Sequence, residues 1–175
     1  QMMDLARFRC SKMPADVSFI ECSADDMPFD EDTFDVVVCQ QGFQFFPDQL
    51  KAAKEIHRVL KPDSKAVIAT WRPIAECDFF GGICEVLEQM GEYDISQIMR
   101  VPFDNLPQEQ LKEAFINAGF SKVDVSIEEL NLIIPKSTAL ELIYATPIGP
   151  KITALSKERK NEFHKLAATH FVKLS

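Results

Sequence analysis

The side chains that could recognise a ligand in this chain lie in two short groups, one on each side of an apolar run. Ser23, Ala24 and Asp25 precede the run, and Gln40 and Gln41 end it. Hydroxyl, carboxylate and amide groups bind small molecules through hydrogen bonds. The chain has no G-x-S-x-G, H-E-x-x-H or Walker loop, so nothing in it indicates a hydrolase or a nucleotide-hydrolysing enzyme.

Three segments have the composition of buried strands, at residues 17–22, 34–39 and 66–71. The second contains three consecutive valines, and strands that are apolar at successive positions are covered on both faces. The pattern therefore predicts an α/β fold whose largely parallel sheet carries helices on both faces. Ligands bind at the carboxyl ends of such strands, so the groups that follow them are expected to meet at one rim.

Apolar residues at helical spacing predict helices along most of the remaining chain. The predicted helices cover about residues 2–10, 48–60, 79–90, 95–99, 108–118, 137–145 and 156–170. A turn at residues 61–64 ends the second helix, and Gly119 ends the fifth. Two further β-like stretches are expected at residues 122–127 and 130–134.

Composition narrows the choice of partners and compartment. The net charge of −8 and the pI of about 4.9 argue against binding to nucleic acid, whose phosphates attract basic patches. The five cysteines form no C-x-x-C pair, which is typical of a reduced, cytoplasmic protein. No apolar run approaches the roughly 18 residues that a membrane span needs. No metal site is expected, since His164 and His170 lie on different faces of their helix.

Several motifs, in this order, resemble the class I S-adenosylmethionine-dependent methyltransferases, and most closely the quinone-biosynthesis C-methyltransferases. They are S-A-D-D-M-P-F after the first strand, F-D at the start of the second, E-I-H-R-V-L-K-P, and a strand that ends in W-R-P. The resemblance covers residues 17–73 well, and the later A-G-F at residues 118–120 also fits. It implies a Rossmann-like sheet and S-adenosylmethionine as the cofactor.

The resemblance also implies roles for the residues of the first rim group. The positions that hold the adenine in the family are Ser23 and Ala24 here. A serine lacks the charge of the usual carboxylate, so its hydrogen bond to the adenine amine would be weaker. Asp25 is expected to substitute for that carboxylate by a small shift.

In the second rim group, the resemblance places Cys39, Gln40 and Gln41 beside the methionine part of the cofactor. It also places three residues in the pocket of the methyl acceptor, namely Gln44, Phe45 and Trp71. No general base is identifiable. Residues 1–73 are expected to form the carboxyl-terminal part of the cofactor-binding half, and residues 74–175 the lid helices and the final strands of the same domain.

One departure from the family is a missing glycine motif. The six glycines include no G-x-G pair, and the family's glycine-rich turn and ribose-binding acid belong to strands 1 and 2. These strands are expected upstream of residue 1, so this chain alone should bind the cofactor poorly. The family's sheet order also separates residues 17–22 from residues 35–40 by two strands. Upstream residues, abnormal pairing or a second chain could fill that gap.

The sequence thus predicts methyl transfer to a small, hydrophobic molecule, catalysed by the full-length protein. The alternative is a non-catalytic methyltransferase-like module that binds or dimerises. Ser23 in place of the acid and the missing glycine motif favour this alternative. A homodimer is compatible with the sequence under either hypothesis.

Overall fold

A computed structural model of the chain describes residues 2–129 and 135–173. Eight α-helices lie in these ranges: α1 (Met2–Cys10), α2 (Gln49–Val59), α3 (Asp78–Gln89), α4 (Tyr93–Asp104), α5 (Gln108–Asn117), α6 (Lys136–Tyr144), α7 (Gly149–Ala154) and α8 (Lys157–Lys173). All seven predicted helices are confirmed, although α4 is longer than predicted. None of the described helices is long and apolar enough to cross a membrane.

The sheet consists of two parallel strands, β1 (Phe34–Gln40) and β2 (Leu60–Ala69), joined by α2. This β-α-β unit confirms the predicted α/β class with a parallel sheet. β2 begins earlier than predicted, because Leu60 already pairs with Phe34 before the register shifts and resumes at Val36 and Lys65. The turn expected between α2 and β2 is therefore a bulge inside the strand, and Asp63 adopts a φ of 63° within it.

The two faces of this sheet have different environments. Val37 and Ile68 pack against the hydrophobic cluster formed with α2 and α5. Val36, Val38 and Val67 point the other way and remain 55%, 66% and 54% exposed. The expectation that the strands are covered on both faces is therefore not met within the described part of the chain. Alternate side chains of a strand project to opposite faces, so one layer of helices covers only half of them.

Two of the predicted strands do not form. Residues 17–22 are irregular, and the nearest β-interaction is an isolated antiparallel bridge between Ser23 and Asp26. Residues 122–127 are also irregular, with Val125 and Ile127 exposed. A strand exists only as part of a ladder, so β-forming composition without a neighbouring strand leaves the chain irregular. The stretch predicted at residues 130–134 lies outside the described residues.

Buried apolar side chains of the described residues form two hydrophobic clusters. The first, which we call the sheet cluster, joins β1, β2, α2 and α5; its buried members are Phe43, Ala52, Ala53, Ile56, Leu60, Leu106, Ala114 and Phe115. The second, the helical cluster, lies among α3, α4, α6, α7 and α8 and includes Ile83, Leu87, Met99, Ile143, Ile152 and Phe163. Helix α5 therefore packs with the sheet cluster.

Candidate functional site

The second rim group lies where β1 ends. Gln41 continues the ladder by one bond, because its backbone N–H donates to the carbonyl oxygen of Ala69 over 2.8 Å. Its φ of 55° then turns the chain sharply away from the sheet. Left-handed backbone at a residue other than glycine is unfavourable, and such strain concentrates at functional sites. A short 3₁₀ helix, Phe43–Phe45, follows the turn.

The thiol of Cys39 lies beside this turn. Burial raises the pKa of the thiol, and the backbone N–H groups of Gly42 and Phe43 lower it in part. A Cβ atom on Gly42 would lie 3.2 Å from the sulfur, which leaves little room for a side chain there. Cys39 is thus a protonated thiol packed against the turn, and neighbouring Gln40 is exposed.

Gln44 and Phe45 occupy opposite environments in the short helix. Gln44 is only 4% exposed, whereas Phe45 is 53% exposed. The side-chain nitrogen of Gln44 donates to Gln41 Oε1 over 3.5 Å, at the limit of a hydrogen bond. The side-chain oxygen of Gln44, Oε1, is buried and has no hydrogen-bond partner among the described residues.

The first rim group is organised around the carboxylate of Asp25. The hydroxyl of Ser23 donates to Asp25 Oδ1, and the ammonium of Lys51 lies 3.4 Å from Oδ2. The Ser23 hydrogen bond, followed by the charge of Lys51, holds the pKa of Asp25 below its usual value. Asp25 is therefore an ionised acceptor, and Ser23 orients it. Lys51 lies in the first turn of α2, whose amino terminus is capped by Asp48.

A pair of charged residues on α2 holds the loop that follows Asp25. The Arg58 guanidinium donates to the carbonyl oxygens of Phe29 and Met27 over 2.7 and 3.0 Å. Glu55 accepts two hydrogen bonds from Arg58 and one from the Met27 backbone N–H. Hydrogen bonding from Arg58 lowers the pKa of Glu55 to about 2. We call this arrangement the Glu55–Arg58 clamp; sequence reasoning missed it.

Ala24 and Cys39 connect the two rim groups. Both are partly buried and pack against the sheet cluster, as does Phe46 just after the short helix. The structure therefore brings the segment around Ala24 and the end of β1 onto one core, although 15 positions separate these residues in the sequence. The sequence placed both groups at strand ends of one sheet, but residues 17–22 form no strand, so the observed link between the groups is this cluster and a common rim stays a prediction.

Trp71 lies two residues beyond β2 and is 40% exposed. Its ring packs at 5.3 Å from that of Phe103 and at 6.0 Å from that of Phe80. Trp71 thus links the end of the sheet to α3 and α4. Its predicted place in the acceptor pocket, like that of Phe45, stays a prediction.

A cleft of about 660 Å³ lies elsewhere, at the amino end of β2, where His57, Lys61 and Gly119 contribute to its lining. It is at the opposite end of the strands from Gln41. Both acidic and basic side chains line it, so it has no single charge preference. In the described part of the chain, no three His, Cys, Asp or Glu side chains are grouped to hold a metal ion.

Comparison with known proteins gives a consistent result. Residues 1–68 match the model of a family described as "Methyltransferase domain". A ubiquinone/menaquinone biosynthesis C-methyltransferase from Idiomarina loihiensis is 31% identical over 120 residues, covering 62% of this chain and 47% of that protein. A demethylmenaquinone methyltransferase from Alkalihalophilus pseudofirmus is 32% identical over 121 residues, covering 62% of this chain and 50% of that protein.

A second demethylmenaquinone methyltransferase, from Deinococcus radiodurans, is 34% identical over 83 residues, covering 47% of this chain and 34% of that protein. The chain spans about half the length, or less, of these curated relatives. No solved structure matches it.

Proposed function

We propose that this chain is part of a class I S-adenosylmethionine-dependent methyltransferase of the quinone-biosynthesis type, and that the full-length protein methylates a small hydrophobic molecule. The observation that carries this proposal is the ionised Asp25 carboxylate, held by Ser23 and Lys51 on the same core as the end of β1. A carboxylate at this position suits the amino group of an adenine.

The residues present fit one part of the cofactor. Asp25 carries the acceptor charge that Ser23 lacks, which supports its proposed substitution for the usual acid. We propose that Ser23 positions this carboxylate and that Ala24 contributes its backbone beside the adenine. Cys39, Gln40 and Gln41 would line the methionine part. Their contribution would be the turn itself, at which the Cys39 thiol packs closely against Gly42.

S-adenosylmethionine supplies an activated methyl group on a sulfonium, which is transferred by direct displacement. The protein must therefore align the acceptor and exclude water, and both effects reduce the barrier without a covalent enzyme intermediate. We propose that α3, α4 and α6–α8 cover the acceptor. The aromatic side chains Phe45 and Trp71, half-exposed at the sheet end, would contact its apolar surface.

The printed names of the relatives suggest which acceptors to test first. Two of them are called demethylmenaquinone methyltransferases, so a demethylated quinol is the first candidate. The test is transfer of an isotope-labelled methyl group from S-adenosylmethionine by the full-length protein. Labelled product that disappears in Asp25→Asn supports the proposal. Failure of the full-length protein to bind the cofactor would favour a non-catalytic module.

A further inference from the structure

The buried amide of Gln44 is incompletely bonded. Its nitrogen donates to Gln41 Oε1 over 3.5 Å, while its oxygen has no partner among the described residues, although the side chain is only 4% exposed. Burial costs free energy when a carbonyl oxygen loses its hydrogen bond to water and gains no donor in the protein. Folded proteins therefore rarely contain such unpaired oxygens.

In the structure, the NH₂ end of the Gln44 amide is bonded and the oxygen is free. Gln41 Oε1 is an acceptor, so the NH₂ group of Gln44 faces it and the Gln44 oxygen is left over. Gln41 is itself held in place, because its backbone N–H is bonded to Ala69 and its φ of 55° fixes the turn. The free atom is therefore a neutral hydrogen-bond acceptor in a defined position.

The position of this atom in the fold indicates a ligand as the missing partner. Gln44 lies four residues beyond the end of β1, at the carboxyl edge of the parallel strands where ligands bind. Aromatic residues adjoin it in the sequence: Phe43 is buried in the sheet cluster, and Phe45 is half-exposed. A single polar atom among apolar side chains orients a ligand and discriminates between similar molecules.

We infer that Gln44 Oε1 accepts a hydrogen bond from an uncharged O–H or N–H group of the methyl acceptor and thereby selects acceptors that carry such a donor. This inference rests on the proposed methyl transfer and extends it, since it assigns one atom of the protein to one chemical feature of the acceptor. Gln44 is a specificity-determining residue in this account, and it takes no part in moving the methyl group.

The test uses two pairs of aromatic probes that differ chiefly in a donor group. The O–H pair is 1-naphthol and naphthalene, and the N–H pair is indole and benzothiophene. Binding of each probe to the full-length protein is measured with and without saturating S-adenosylhomocysteine. We expect the donor-bearing member of each pair to bind about tenfold more tightly than its partner, as one desolvated hydrogen bond allows.

Gln44→Met removes the acceptor atom at similar volume and should reduce both ratios to about one. Gln97→Met is the matched control, because Gln97 is an exposed glutamine on α4, and it should keep the wild-type ratios. Gln44→Glu retains an oxygen at the site and should keep the preference, which provides a second measurement if Gln44→Met folds poorly by circular dichroism.

Three results would overturn the inference: equal affinities within each pair in the wild type, ratios that Gln44→Met leaves unchanged, or no binding of any probe. Loss of stability in Gln44→Met with unchanged ratios would mean that the oxygen is bonded inside the protein, which also contradicts it. Failure of the methyl-transfer proposal looks different, because S-adenosylhomocysteine would then not bind while the probe ratios still depended on Gln44.

Discussion

Gln44 and Ser96 are both buried polar residues, but they lie in different halves of the molecule and differ in how they are bonded. Ser96 on α4 donates to Glu88 on α3 over 2.7 Å, and Arg100 donates to the same carboxylate over 2.8 Å. Gln44, beside the sheet, keeps an oxygen without a partner among the described residues. Among the described residues, the buried polar side chain of the helical half is thus bonded within the protein, whereas that of the sheet half keeps a free oxygen.

The apolar side chains of the two halves also differ in how completely they are buried. The helical cluster encloses side chains such as Phe163 and Ile143, which are fully buried. The sheet leaves Val36 and Val38 exposed on one face. The helical half therefore has a well-buried hydrophobic core. The sheet half contains the candidate site and an apolar surface that the described residues leave uncovered.

The largest expected effect on stability tests whether the helical half has a well-buried hydrophobic core. Phe163→Ala should lower the free energy of unfolding by about 3–5 kcal/mol, because it removes a fully buried ring and leaves a cavity. Phe8→Ala is the control, since Phe8 on α1 is 60% exposed and should cost less than about 0.5 kcal/mol. Chemical denaturation measures both; similar losses would contradict the comparison.

The next effect concerns the Glu55–Arg58 clamp of the sheet half. Arg58 holds the pKa of Glu55 at about 2, below the value of about 4.3 for an unfolded chain. A depressed carboxyl pKa stabilises the fold above the unfolded value, and this stabilisation is lost as the pH falls from about 4.5 to 2. Glu55→Gln should therefore cost about 2–3 kcal/mol at pH 7 and little at pH 2. Thermal unfolding across this range checks it; a pH-independent difference would rule out the clamp.

Removing a buried polar group should have a smaller effect on the free energy of unfolding, and this effect should differ in sign between the two halves. Ser96→Ala removes a hydrogen bond to Glu88 and should lower the free energy of unfolding by about 1–2 kcal/mol. Gln44→Met removes an unpartnered amide oxygen and should leave the ligand-free protein as stable as before or up to about 1 kcal/mol more stable. Equal losses in urea denaturation would show that both residues are structural.

The smallest effect compares two left-handed backbone positions. Asp63 and Gln41 have φ values of 63° and 55°, and glycine adopts this conformation more readily than either. Asp63→Gly and Gln41→Gly should each change stability by less than about 1 kcal/mol. Only Gln41→Gly should weaken cofactor or acceptor binding, because Asp63 lies in the bulge at the far end of β2. Equal binding by both variants would remove Gln41 from the site.

The helices were predictable because their apolar residues recur at helical spacing, as in α2 and α5. Helix α7 escaped prediction, since six residues are too few to show a period. The strands predicted at residues 17–22 and 122–127 do not form, because composition indicates the tendency to form a strand but not whether a partner lies alongside.

The turn at residues 39–41 was predictable, because it follows the strand β1, whereas residues 23–25 follow a segment, 17–22, that forms no strand. The roles of both groups in a site rest on the resemblance to a family and stay predictions. The contacts that hold the first group were not predictable. The Lys51–Asp25 ion pair and the contacts of Arg58 with Met27 and Phe29 join residues 26 to 31 positions apart. No local pattern encodes such pairings, so only the folded chain reveals them.

The most direct test of the central claim, that the sheet end binds S-adenosylmethionine through Asp25, is isothermal titration of the cofactor into the full-length protein. We expect Asp25→Asn to weaken binding about tenfold or more, because it removes the ionised acceptor that Ser23 and Lys51 hold. Asp26→Asn is the control for the adjacent carboxylate and should bind within about twofold of the wild type. Equal affinities of Asp25→Asn and the wild type would contradict the claim.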